Sequence, residues 1–372
     1  MKRIFSVLCV SALVVGSAVA QELPHLRPVH TFSIVARDPA TGEIGAAVQS
    51  HWFAVGSSVI WAEPGVGAVA TQSFIEPSYG PLGLALMRGG KRASEALKAL
   101  LASDPFRSGR QVAMIDSTGE AAAFTGEKDI PEAGNIVGAG KNGAARTLAI
   151  SETTGAVNRP EHVGQQTYSY TVGENFSVQA NLMLNNQIWP AMAKAYQEST
   201  GDLAERMLAA LDAAQAAGGD IRGRQSAALI IVSGKRTDHA WDRIFDVRVD
   251  DNVEPLKELR RLVALQRAYN LMNAGDADMT RGDKEAALRD YGAAEQLASK
   301  TPGVPPSRLA EMMYWHAAAL VNMGRVDEAL PLFRKVFAME KNWATLTPRL
   351  PKAGLLPNDP ALIQRIVEQT GK

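Results

Sequence analysis

Cysteine is almost missing: the single one in 372 residues, Cys9, lies inside an N-terminal apolar run. If that run is removed as a leader, the remaining chain has no thiol, which excludes disulfides, thiolate nucleophiles and cysteine-held metals. A surplus of one charge is missing too, since Lys plus Arg and Asp plus Glu both total 39. No basic footprint for nucleic acid or for an anionic membrane is therefore expected. The six histidines are scattered, with no pair at metal-ligand spacing, so neither a metal nor another cofactor is expected. The G-x-S-x-G elbow, the H-E-x-x-H pair, the phosphate-binding loop and a G-x-G-x-x-G after a strand are all lacking, which removes the common serine-hydrolase, zinc-protease and nucleotide signatures. Beyond the leader no apolar run is long enough to cross a bilayer.

What is present begins with an export pattern. Lys2 and Arg3 precede the apolar "IFSVLCVSALVVG", and "AVA" ends at Ala20. This reads as a signal peptide over residues 1–20, with a periplasmic or secreted destination. Cys9 sits mid-run rather than at the cut, which argues against a lipid anchor. A spacer, "QELPHLRPVH", fills residues 21–30. The length exceeds the roughly 100–200 residues of one domain, and the composition divides the rest into residues 31–250 and 251–372.

"TFSIVARD" and "IGAAVQS" flank the turn cluster "PATGE" and carry few charges, predicting a hairpin buried on both faces, with Asp38 capping its turn. "SSVIWAEPGVGAVATQS" and "RQVAMIDSTGEAAAFTG" read as further hairpins. Between them, "GPLGLALMRGGKRASEALKALLASDP" has helical spacing, with Ser94 as N-cap and Asp104-Pro105 as stop. Residues 134–173, rich in Gly, Asn and Thr and without periodicity, read as an insertion or lid. "NFSVQANLML" resumes a strand, an Ala- and Leu-rich helix pair ends at Gly218-Gly219, and "GRQSAALIIVSG" is the most hydrophobic strand and a candidate for the sheet centre. The expected class is α+β. After Val253 only helices are expected. Aligning Gly282 with Gly324 matches Ala287 with Ala329, Leu288 with Leu330 and Tyr291 with Phe333, a spacing that resembles tetratricopeptide (TPR) hairpins, in which a small residue lets helices approach closely.

With no thiol, the available nucleophiles are Ser, Thr, Lys and carboxylates. Thr31 stands out by its place. On pattern alone it is an ordinary strand threonine. Were it the first residue of the chain, its free α-amine, with a reference pKa near ~7.7, would serve as its own base.

The stretches "HTFSIVARDPATGEIGAAVQSHWFAVGSSV", "PGVGAVATQSFIEPSYGPLGLALMRGG", "FSVQANLM" and "GGDIRGRQSAALIIVSG" together resemble the domain-of-unknown-function family 1028, grouped with the N-terminal-nucleophile (Ntn) hydrolases. That resemblance implies a four-layer α-β-β-α sandwich and an amide-cleaving site at the end of the first strand, with Thr31 at the nucleophile position; it brings no substrate. This chain departs from the family pattern, in which "TFS" often follows the initiator Met directly. Here the spacer intervenes, and a second cleavage after His30 is needed to free the amine.

Other polar residues of these motifs are candidates beside Thr31. Asn181 could donate to an oxyanion or simply serve a turn. Gln72 and Ser73 could line a substrate cleft, and His51, next to Trp52 and Phe53, could sit near the strand ends. Arg224, with Arg222 and Asp220, could clamp a substrate carboxylate or form a loop ion pair. The first expectation is an exported Ntn-type amidohydrolase acting on a small-molecule or peptide amide. The second is an inactive Ntn-like scaffold that binds a protein partner through its TPR-like helices. A third moves the nucleophile to Ser73 or Ser226 with His51 as base.

Overall fold

The computed structural model describes Val29 and residues 31–139, 143–154 and 164–371. The expected signal peptide, the rest of the spacer and residues 140–142 and 155–163 of the 134–173 segment lie outside the described residues. Among the described residues, twelve strands form two antiparallel six-stranded sheets.

The first sheet has the order β12-β11-β2-β1-β10-β7. Its central hairpin is β1 (Thr31–Arg37) and β2 (Ile44–Ser50), joined by the expected turn, in which Asp38 Oδ1 accepts from the amides of Ala40 and Thr41 at 2.7 and 3.3 Å. β11 (Ser226–Val232), expected at the centre, is internal but one place off it. β12 (Phe245–Val249), which alternates buried and exposed residues, covers its edge. β10 (Phe176–Ala180) and β7 (Gly134–Val137) complete the other side. The second sheet has the order β3-β4-β5-β6-β9-β8, built from β3 (Ile60–Glu63), β4 (Gly67–Ser73), β5 (Arg110–Asp116), β6 (Glu120–Thr125), β8 (Arg146–Thr154) and β9 (Gly164–Glu174).

Residues 134–173 are therefore not an irregular insertion. Their described part is β7 in one sheet and β8 and β9 in the other, held by ladder pairing and by Ile150, Tyr170 and Val172, which pack in one core with Val112 and Phe124.

The period of two along each strand sorts side chains between two cores. Phe32, Ile34 and Ala36 of β1 face α3 (Ile188–Glu198) and α4 (Leu203–Ala216), packing with Met192, Leu208 and Leu211. Val35, on the other face, packs with Ala68 and Ile115 of the second sheet. That second sheet carries α1 (Tyr79–Arg88) and α2 (Ala93–Ser103) on its outer face, through Leu84, Leu97 and Leu101. The single helical stretch expected there is broken by Gly90 at φ 95°. Nor does Ser94 cap α2. The first free amides, those of Ala93 and Ser94, donate to Asp116 and Glu120 of the β5–β6 hairpin, and the Ser94 hydroxyl also donates to Glu120. Carboxylates from outside the helix take most of the role that a Ser94 cap would have filled, beside Glu95, which accepts from the Arg92 amide at 2.9 Å.

From Pro255 the chain is helical. α5 (Pro255–Arg281) seats Leu256, Leu259 and Val263 in the same core as α3 and α4. Its far half pairs with α6 (Lys284–Lys300), and α7 (Pro306–Asn322) pairs with α8 (Val326–Met339). Gly282 and Gly324 end α5 and precede α8 at φ 83° and 80°, and Ala287, Ala329, Tyr291 and Phe333 are all buried. The short α9 (Asn342–Leu346) and α10 (Pro360–Val367) close the chain.

Candidate functional site

The space between the sheets changes character along its length. One end is filled by Val35, Ile44, Ala46, Ile115 and Ile230. At the other, the same strand faces carry Thr31, Ser33, Gln72, Gln111, Gln179 and Asn181, every one of them 0% exposed. Six polar side chains removed from water must find partners within the protein.

They do so through Gln111 on β5. Its Oε1 accepts from Gln72 Nε2 at 2.6 Å and from Asn181 Nδ2 at 2.9 Å. Its Nε2 donates to the Ala180 carbonyl and to Thr125 Oγ1, both at 2.9 Å. Ser33 donates to Gln72 Oε1 and accepts from Gln179 Nε2, each at 2.6 Å. The two sheets are thus joined at this end by hydrogen bonds rather than by apolar contact, which fixes their relative position more sharply than interchangeable methyl groups would.

Thr31 sits at the edge of this network. Its carbonyl oxygen accepts from Gln72 Nε2 at 3.1 Å and from the Asn181 amide at 3.2 Å. Its hydroxyl donates to the Val29 carbonyl at 3.1 Å. Thr31, Gln72 and Asn181, singled out from sequence, are therefore brought together. Asn181 turns its side-chain amide to Gln111, within the same cluster.

Ser73 is next to them but faces elsewhere. Its backbone takes a left-handed φ of 71°, uncommon for a residue with a side chain. Its hydroxyl donates to Asp129 Oδ1 at 2.6 Å. Burial pushes the Asp129 carboxyl up to about 7, against the opposing pull of hydrogen bonds from Ser73 and the Gly126 amide and of the Arg110 charge. Val29 bridges to Ser73 by two backbone hydrogen bonds, Val29 N to Ser73 O at 2.7 Å and Ser73 N to Val29 O at 2.9 Å.

The remaining candidates lie outside this cluster. Arg224 pairs with Glu254 ahead of α5 at 2.6 Å, the loop ion pair rather than a clamp, because its loop runs toward the helical region. His51 receives no hydrogen bond at its buried Nδ1, and its backbone amide donates to Asp220 at 3.2 Å. The Ser226 hydroxyl donates to the Trp52 carbonyl. Ser73 is turned to Asp129 and Ser226 to Trp52, so neither hydroxyl is directed at His51 as a base. Among the described residues no group of three or more His, Asp or Glu side chains could hold a metal, and no helix is long and apolar enough to cross a membrane.

Gln111 and Asp129 lie outside the motif stretches of the sequence, and Ser33 and Gln179 lie inside them without standing out as candidates. The one available signal is a polar residue at an inward position of an otherwise apolar strand, as in "RQVAMI" and "SVQA".

The chain belongs to the DUF1028 family, a family of unknown function, whose profile matches residues 31–160 and 154–259. Among solved structures, protein SPO2555 from Silicibacter pomeroyi, also of DUF1028, is similar at 26% identity and a TM-score of 0.48, over 63% of this chain and 84% of that one. No curated protein matches.

Proposed function

We propose that this protein is an exported amidohydrolase of the Ntn type, held latent by the residues that precede Thr31. The observation that carries the reading is the placement of Thr31. It is the first residue of an inner strand, it faces the polar end of the inter-sheet space, and its hydroxyl is held by the carbonyl of Val29, part of the segment whose removal would free its amine. Two facing sheets with a helix pair on each outer side are also the layering expected of that class.

Cleavage after residue 30 turns the amide nitrogen of Thr31 into an amine that can accept the hydroxyl proton. Oγ then attacks an amide carbonyl, and the developing oxyanion takes hydrogen bonds from Asn181 Nδ2 and a backbone N–H. The amine passes the proton to the leaving nitrogen, the C–N bond breaks, and water hydrolyses the resulting ester. No cofactor enters the cycle. An acylating probe tests the assignment: label should appear on protein beginning at residue 31, vanish in Thr31→Ala, and persist in Ser73→Ala and Ser226→Ala. Label lost only in a serine variant would move the nucleophile.

A second reading is favoured by one feature, a groove of about 490 Å³ on the helical region lined by Tyr269, Asp276, Tyr291, Glu311 and Trp315. If the spacer is never removed, the protein would act as a binding scaffold, its TPR-like helices receiving a partner segment there.

A further inference from the structure

The edge of β4 explains why Val29 lies where it does. β3 pairs with β4 only as far as Ile60 opposite Ala70, and the Thr71 amide still reaches the Val59 carbonyl at 2.9 Å. Beyond that point β3 has turned away. The next outward-facing groups on this edge, the N–H and C=O of Ser73, would be left inside the protein without partners, a costly arrangement. Val29 supplies both partners in an antiparallel bridge, and its side chain, 1% exposed, joins the inter-sheet core. Its carbonyl oxygen accepts from the Ser73 amide at 2.9 Å and from the Thr31 hydroxyl at 3.1 Å.

We infer that this edge is the docking strand for an extended peptide, which takes the place of Val29 once the spacer has been cut away. The inference rests on the proposed amidohydrolase and names its substrate class. Removing Val29 strands two backbone groups and empties an apolar socket, and a peptide in extended conformation restores both by β-augmentation. The residue in the socket is apolar. Its carbonyl, held by the Ser73 N–H, stands beside Thr31 Oγ, so it is the acyl residue of the bond to be cleaved. Small amides without a flanking N–H would fill only part of this arrangement.

The probe is the peptide LRPV, the sequence of residues 26–29, acetylated and carrying a C-terminal aminomethylcoumarin amide. Spacer residues are replaced by a specific protease site, and the cut before residue 31 is made on folded protein. Affinity is measured by calorimetry on Thr31→Ala protein, and turnover by coumarin release on protein with Thr31. Docking at this edge predicts that the cut protein binds the probe and that uncut protein retaining its natural residues 21–30 binds it at least about tenfold more weakly. Methylating the valine nitrogen, which removes the donor to the Ser73 carbonyl, should weaken binding by roughly tenfold, and a Val-to-Asp probe should do the same. Equal affinity for the methylated probe, equal binding by uncut protein, or no binding at all would each overturn the docking strand. Binding without turnover would leave the docking strand standing and defeat the hydrolase; cleavage of other amides by a protein that does not bind LRPV would do the reverse.

Discussion

Asp129 ties stability to pH in an unusual direction for a carboxylate. Its pKa is raised from 3.8 to about 7 by burial, so between those values the folded protein keeps a proton that the unfolded chain has released. Its contribution to stability is complete below the unfolded value and is lost as pH rises through the folded one. Asp129→Asn, permanently neutral, should therefore flatten the fall in stability between about pH 4 and 7, even if losing the bond from Gly126 lowers the whole curve by ~1 kcal/mol. Urea midpoints across that range give the answer, and an unchanged slope would mean that Asp129 is ionised in the folded protein. Thr31 could be singled out in the sequence because of its place at the head of the first strand motif. Asp129 and Gln111 were not, because their partners arrive from distant strands: Gln111 meets Asn181 across 70 residues and Ser73 meets Asp129 across 56.

At the level of elements, the strands whose alternation is apolar on both faces were readable, as were the two hairpins closed by turn residues. Two features were not. The period of two in β8 and β9, which places Ile150, Tyr170 and Val172 in one core, is diluted by the surrounding Thr, Ser, Gln and Gly, so these strands do not stand out in the sequence. The start of α2 depends largely on Asp116 and Glu120, which follow it in sequence, and its local signal is limited to Glu95, which accepts from the Arg92 amide. β12, by contrast, carries a legible alternation over its five residues, "FDVRV". Helix α1 lies close on β3: a Cβ at Gly80 would stand 2.2 Å from the Trp61 indole. Gly80→Ala should thus destabilise the protein by about 1–3 kcal/mol through overpacking, although alanine is the better helix former by roughly 1 kcal/mol. Denaturant midpoints of the variant and the parent check this, and a gain in stability would mean that the helix shifts freely.

For the whole molecule, the helical region is joined to the sheets through burial more than through charge. Leu259 is 0% exposed in the core shared with α3 and α4, whereas Arg260, which pairs with Glu205 and Asp212 of α4 at 2.7 and 2.5 Å, is a third exposed. Leu259→Ala should cost about 2–5 kcal/mol and Arg260→Met under ~1 kcal/mol, compared by chemical denaturation; the opposite ranking would make the ion pairs the joint. The central claim, that Thr31 becomes a nucleophile when the residues before it are removed, concerns the chain as its host produces it. Its most direct test is the N-terminal sequence and intact mass of the protein recovered from the exported fraction of its native host. The account predicts a chain beginning at Thr31, with a free amine beside the hydroxyl. A uniform start at Gln21 would leave Thr31 without its base and contradict it.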